Sequence, residues 1–436
     1  MSTPAQGEPP ALDVSLASTP CDLDGVPVIL SRITALSQGL QSSDHERRLQ
    51  LLGEARALVQ AIETPRDRMI MDMWARVMTI GTLRIGYESG VFGEMLKDGG
   101  RPKTVSELAE ATGFDPVMLS RVMRHLAATR HITETGPQEF ALTSFTRAMT
   151  LPIIGESYIT ASVIPGTTPT YTLAPQSMLP IYLKEANYNP AAAGWDPANP
   201  TTFQRVAATN GQEPLNLFDY IAARPGMARA FSNHMAGSAQ GTTRWMEAGF
   251  YPVRERLVDG GCVDDDDPEA VFLVDIGGST GHDMVVFQSV YPDVPGRLVV
   301  QDLPDVVAGA KVDGRIELMA HDFFQAQPVR GARAYYMHRV LHDWPDDKCL
   351  LILGEIKKAM RPGYSRLLIN ENVIPTTGAR WEVTALDLGL FVFMGAKERT
   401  EGDWYEILEK KMGFKICGIW SAANAVESLI ECELVV

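Results

Sequence analysis

Two stretches of the chain hold residue types in an order that could do chemistry. The first, Val271 to Asp302, reads VFLVDIGGSTGHDMVVFQSVYPDVPGRLVVQD. An apolar run, Val271 to Ile276, carries Asp275 and gives way to Gly277, Gly278, Ser279, Thr280 and Gly281. A helix-like run from His282 to Val290 follows, and a second apolar run, Leu298 to Val300, leads to Asp302. Strand, glycine turn, helix, strand, acid is the layout of a nucleotide-type cofactor site. Glycine lets backbone approach a ligand that a Cβ would block, and the Asp302 carboxylate is placed to accept hydrogen bonds from two ribose hydroxyls. The second stretch is Val340-Leu341-His342-Asp343-Trp344-Pro345. An imidazole there, between a predicted strand and a predicted helix, can take a proton near pH 7. Glu371, past the next predicted strand, and Glu398, in GAKERT, could fix its tautomer and leave the other ring nitrogen as base.

The glycine spacing, D-x-G-G-x-x-G, is neither the dinucleotide pattern G-x-G-x-x-G nor a phosphate-binding G-x-x-x-x-G-K-[ST]. It suits a cofactor without a pyrophosphate, and S-adenosylmethionine is that kind of ligand. Each signal alone has a bland counterpart: an ordinary Gly-rich α/β turn, or a satisfied interior histidine. Two glutamates on loops near a cofactor cleft favour the chemical reading. The four aspartates of VDGGCVDDDDP read as solvated linker surface, and no convincing metal-ligand cluster stands out, so no metal is expected.

The elements that must position these groups alternate. Predicted strands at 316–319, 334–337, 366–369, 414–420 and 429–435 are interleaved with predicted helices at 348–360, 381–394 and 403–412. This predicts a mostly parallel, doubly wound Rossmann-like sheet with helices on both faces and ligands beyond the strands' carboxyl ends. Asp275, Asp302, Asp322, His342 and Glu371 all fall at such ends.

The N-terminal part reads as mostly helical. Residues 1–25 are a Pro/Ser/Thr/Ala-rich tail, and 28–62 form one or two amphipathic helices whose apolar face needs a partner. Another helix is predicted over 72–87. Thr104 and Glu107 open a capping box, Gly113 ends that helix, and Asp115-Pro116 start the next. HITETGPQEFALT then reads strand, turn, strand, so 66–155 has a winged-helix pattern. Lys and Arg outnumber Asp and Glu only five to three over 101–130, which favours packing or dimerisation over DNA binding. Residues 165–200 are loop-rich, and 203–246 return to helical patterning, with MARAFSNHMAGSAQ suited to line an apolar pocket.

Length predicts two or three domains. A net charge of −15 argues against nucleic acid or an anionic membrane surface. Five cysteines without a C-x-x-C pair, and a start lacking basic and apolar signal regions, predict a soluble cytoplasmic protein. No apolar stretch reaches spanning length, so no membrane partner is expected.

Over residues 70–436 the chain resembles the caffeic-acid-type, class I S-adenosylmethionine-dependent O-methyltransferases, and within them the fungal secondary-metabolism branch. The residues that carry the resemblance are VDIGGSTGH (274–282), QDLPDVV (301–307), HDFF (321–324), VLHDWPDD (340–347), INENVIP (369–375) and GAKERTEGDW (395–404). It implies that Gly277, Gly278 and Gly281 cradle the cofactor with Asp275 at the turn, and that Asp302 holds the ribose. Leu303 would border the adenine, and Asp322 and Phe323 would contact its end. His338 matches a cofactor-contacting position that is usually a longer basic residue. His342 would be the base, flanked by Glu371 and Glu398, and Phe231 and Met235 match substrate-pocket positions. It also implies a homodimer built by the helical N-terminal region.

The resulting division is a tail and helical segment (1–65), a winged-helix-like dimerisation domain (66–155), a helical linker and substrate-pocket region (156–257) and a Rossmann-like catalytic domain (258–436). The expected activity is methylation of a phenolic or enolic hydroxyl on a small polyketide-like metabolite. Three alternatives stand beside it. One is an enzyme of this fold that keeps the cofactor but catalyses dehydration or a pericyclic reaction. Another is a winged-helix regulator. The third, a nicotinamide-dependent dehydrogenase, is disfavoured by the glycine spacing.

Overall fold

A computed structural model describes residues 13–161, 173–188, 199–238, 240–259, 270–312, 314–422 and 425–435. Half of the stretch predicted as loop-rich over 165–200 and most of the acidic linker predicted over 258–268 lie outside them, as does the first part of the tail; where 165–200 is described it is chiefly the helix Leu173–Glu185 rather than loop. The chain divides into two compact units, residues 1–162 and 163–436.

The second unit is built on a seven-stranded sheet. Its strands are β1 (Val271–Ile276), β2 (Arg297–Asp302), β3 (Ile316–Ala320), β4 (Ala334–His338), β5 (Arg366–Glu371), β6 (Phe414–Trp420) and β7 (Ser428–Leu434). Their order is β3-β2-β1-β4-β5-β7-β6. Pairing is parallel from β3 through β5, and antiparallel on both sides of β7. The central strands are buried on both faces, which is why β1 reads as an unbroken apolar run rather than an alternating one. One face is covered by a cluster that includes Leu353, Ile356 and Leu408. The other is covered by Trp245, Phe250 and Phe287 among others. The order reverses direction between β1 and β4, and a cleft beyond the strand ends is expected at such a switch point.

In the first unit, Thr104 caps the helix Val105–Thr112: its hydroxyl accepts from the Glu107 N–H, and the Glu107 carboxylate accepts from the Thr104 N–H. Gly113 ends that helix at φ +72°. Asp115 caps the helix Pro116–Ala128. Strands Ile132–Gly136 and Glu139–Leu142 form the expected hairpin, and a two-residue strand, Lys103–Thr104, adds a third member that no sequence periodicity signals. The helix predicted over 72–87 begins as a π-helical turn, Met71–Ala75, before Arg76–Glu88. The helices Val26–Ser37 and His45–Ile62 bury almost nothing: Val28, Leu30, Val59 and Ile62 stay exposed, as do Met73 and Trp74 in the next element. Among the described residues no helix is long and apolar enough to cross a membrane.

Candidate active site

The turn after β1 is tied to the end of β2. The N–H groups of Gly277 and Gly278 donate to the Gln301 carbonyl at 2.8 and 3.1 Å. The Ser279 N–H donates to Asp302 Oδ2 at 2.8 Å, and the Leu303 N–H to Asp302 Oδ1 at 2.7 Å. Gly281, at φ +83°, starts the helix His282–Val290. A Cβ on Gly278 would lie 2.5 Å from the Asp275 carboxyl carbon, so only glycine lets the turn rest on that side chain. Burial first, and then the charge of Asp283, hold the Asp275 carboxyl well above the usual range. Its Oδ1 is buried without a partner. Phe323 approaches Gly277 and packs against Phe324 and Trp344, while Leu303 is exposed at the rim. Asp322 Oδ1 accepts from the Phe324 N–H at 3.0 Å. A turn carrying three glycines, an orphaned acid beneath it and a carboxylate ending the neighbouring strand fit an adenosyl cofactor.

His342 sits in a short 3-10 turn, Leu341–Asp343, four residues past the end of β4. Glu371 Oε1 accepts from the Leu341 N–H at 2.8 Å and from the His342 N–H at 3.3 Å, pinning that turn. His342 Nδ1 lies 3.0 Å from Glu398 Oε1 and 3.6 Å from Glu371 Oε2. Asn372 Nδ2 also donates to Glu398 Oε1, at 2.7 Å. The two glutamates converge because a two-residue parallel bridge, Val373–Ile374 with Arg399–Thr400, joins the segments that carry them. Glu371 Oε2 and Glu398 Oε2 are buried without partners.

The electrostatics differ from the sequence expectation. Burial opposes charge on the imidazole, but Glu371, Asp343 and Glu398 outweigh it and push the His342 pKa up to about 9. The ring is therefore mostly cationic at neutral pH, not the neutral base predicted. Its Nε2 is not open either, since it faces Asp343 Oδ1 at 3.3 Å. Burial, partly offset by His342, raises Asp343 to about 7. Each of His342, Glu371 and Glu398 offers an atom within 4.8 Å of the others, so these are the described residues that could also hold a metal ion.

Arg399, in the segment GAKERTEGDW, is fully buried. It donates to the Leu341 carbonyl at 2.8 Å and the Trp344 carbonyl at 2.9 Å, clamping the histidine turn from below. Asp346 balances its charge at 2.8 Å.

His338 is fully engaged. Its Nδ1 lies 2.7 Å from Asp283 and its Nε2 2.9 Å from Glu427. Burial opposes protonation, but Glu427 and Asp283 hold the ring well above its ordinary pKa. Both acids are held down to about 2, His338 outweighing their own burial. Tyr336 donates to Asp283 at 2.8 Å, and Asn370 to Glu427 at 3.1 Å. With both ring nitrogens taken by carboxylates, His338 has none left for a direct cofactor contact. Asp283 and Glu427 escaped sequence reasoning because a single acid in a helix or a loop carries no pattern. Phe231 and Met235 lie on the helix Pro225–Ser238, the first half-buried and the second exposed.

Residues 268–415 match the O-methyltransferase domain family. A methyltransferase of Aspergillus candidus, cfoC, is 34% identical, the alignment covering 92% of this chain and 97% of that one. A solved structure described as a pericyclic reaction enzyme is similar at TM-score 0.79 and 28% identity, covering 94% of this chain and 99% of that one. A structure of LepI in complex with SAM is similar at TM-score 0.79 and 27% identity, with the same coverage.

Proposed function

This chain belongs to the fungal class I S-adenosylmethionine-dependent O-methyltransferases, and on that premise we propose that it methylates a phenolic or enolic hydroxyl of a small polyketide-like metabolite, with His342 as base and no metal. The observation that carries the reading is the imidazole held between Glu398 and Glu371 on the turn after β4, next to the glycine turn after β1.

Bound S-adenosylmethionine supplies an electrophilic methyl group. The chain must then align an oxygen with it and remove that oxygen's proton. Gly277, Gly278 and Gly281 let the backbone approach the cofactor, Asp275 supports the turn, and Asp302 takes the ribose hydroxyls. Leu303, Asp322 and Phe323 border the adenine. His338 acts at one remove, by fixing Asp283 in the helix that follows the glycine turn. A phenol has a pKa of about 10. An imidazole raised to about 9 by its carboxylates accepts that proton with little energetic mismatch. Glu398 holds Nδ1, so the proton arrives at Nε2, where Asp343 now faces it. Phe231 and Met235 contribute apolar wall.

We assign residues 258–436 to the catalytic domain, 156–257 to the substrate-pocket region and 66–155 to a winged-helix dimerisation domain that follows the 1–65 segment. The exposed apolar side chains over 28–78 support a homodimer. The described cysteines, all free, support a cytoplasmic setting. A regulator and a nicotinamide dehydrogenase do not fit a chain of this family. The likeness to a pericyclic reaction enzyme favours one second reading, retention of the cofactor during dehydration or rearrangement. Incubation with S-adenosylmethionine and candidate phenols separates the two. Release of S-adenosylhomocysteine in step with product supports methyl transfer, and product without it supports the second reading.

A further inference from the structure

Arg339 has no place in the proton path just described, yet it follows directly on β4, three residues before His342. Its backbone takes a left-handed φ of +51°, a conformation that side chains other than glycine, asparagine and aspartate rarely adopt and that recurs at functional sites. The Arg339 N–H donates to the Asn370 carbonyl at 3.1 Å, which fixes that backbone to the end of β5. Glu427 anchors the guanidinium on one side. Glu427 is itself held by His338 and Asn370, so the anchor does not move freely. The Nε of Arg339 has no partner. About a quarter of the side chain, 23%, is exposed.

What surrounds this cation matters. Two carboxylates, Asp283 and Glu427, face three cationic side chains: His338, Arg339 and, 3.9 Å from Asp283, Arg244. Burial and then the Arg339 charge hold the His234 pKa below its ordinary value. The Nδ1 of His234 is buried without a partner. His234 lies on the helix Pro225–Ser238, between the two residues read as substrate wall, Phe231 and Met235. Asp343, beside the base, also feels Arg339.

We propose that Arg339 is a specificity-determining residue that binds an anionic or strongly polarised oxygen carried by the acceptor next to the hydroxyl to be methylated. The acceptor class is then an ortho-hydroxy carboxylate, an ortho-acyl phenol or an enolised β-dicarbonyl, in preference to an isolated phenol. The guanidinium offers paired donors to such a group. It also lowers the cost of placing a negative charge near a buried site. This inference rests on the methyltransferase reading and narrows it.

The experiment is calorimetry on the full chain with two probes that share a ring, salicylate and phenol, after saturation with S-adenosylhomocysteine. The native protein is expected to bind salicylate at least about tenfold more tightly than phenol, the size of a hydrogen bond to a charged group. Arg339→Gln is expected to abolish that ratio with S-adenosylhomocysteine affinity unchanged, and Arg339→Lys to keep part of it. A native protein that takes up S-adenosylhomocysteine and shows no preference for salicylate overturns the inference, as does a preference that survives in Arg339→Gln. The native measurement decides even if a variant fails to fold. Failure to take up S-adenosylhomocysteine at all counts instead against the methyltransferase reading.

Discussion

His338 ends β4 and His342 lies four residues beyond it, and each is ringed by carboxylates. Around His338 both ring nitrogens are taken, at 2.7 and 2.9 Å, and the two acids receive further bonds from Tyr336 and Asn370. Around His342 one nitrogen is held at 3.0 Å and the other faces an acid at 3.3 Å, while two glutamate oxygens have no partner. The first cluster is close to complete, and a complete buried polar network rigidifies its surroundings. The second is left short of partners, and its proton is given up as pH climbs through about 9. The same residue types thus give a strut in one place and a titrating centre in the other, and the difference lies in how many bonds are left unmade.

Four experiments sharpen or break this contrast. His342→Ala should reduce turnover by about 10²–10⁴-fold while S-adenosylmethionine binding, read by calorimetry, stays near normal; near-normal turnover would remove His342 from the mechanism. His338→Ala should behave oppositely. It removes the cation shared by Asp283 and Glu427 and leaves them Arg244 and Arg339, which costs about 1–3 kcal/mol, to be read from urea unfolding; a loss below about 1 kcal/mol would erase the distinction between the two clusters.

The third test is pH. The folded pKa of His342 is raised, so its stabilising contribution is complete below the unfolded value of about 6.5 and is lost as pH climbs through about 9. Native stability should fall across that window by up to about 3 kcal/mol, and His342→Asn should flatten the slope. Over the same window kcat/KM should rise, because only the deprotonated ring can accept a proton. A flat profile from pH 6.5 to 9 would contradict the assignment. The smallest effect is expected from Asn372→Leu. Losing the 2.7 Å bond to Glu398 leaves that carboxylate to His342 alone, so the rising limb of kcat/KM should move to higher pH by less than about one unit.

Much of the frame was legible in the sequence. Val271–Ile276 and Trp381–Met394 stand with the predicted bounds because an apolar run buried on both faces and a long helical stretch are strong signals. The cap at Thr104 and Glu107 was equally plain, since its chemistry is local. What could not be read depends on segments far apart in the chain. The bridge between Val373–Ile374 and Arg399–Thr400 has two residues a side and no periodicity, yet it brings Glu371 and Glu398 together. The cation at His342 was missed for a related reason. A sequence shows one histidine, and only the fold shows three carboxylates around it. Glu427 reaches His338 across 89 positions, with no motif to announce it.

The place of β7 has a consequence for how the protein is made. A ribosome produces this strand after the six others, but it belongs between β5 and β6, antiparallel to both. Until Ser428–Leu434 emerges from the exit tunnel, β5 waits with an unsatisfied flank, and a nascent chain with such a flank is open to sticking to its neighbours. The same late segment delivers Glu427 to His338. Shape and charge balance are therefore completed together, after synthesis has passed this point.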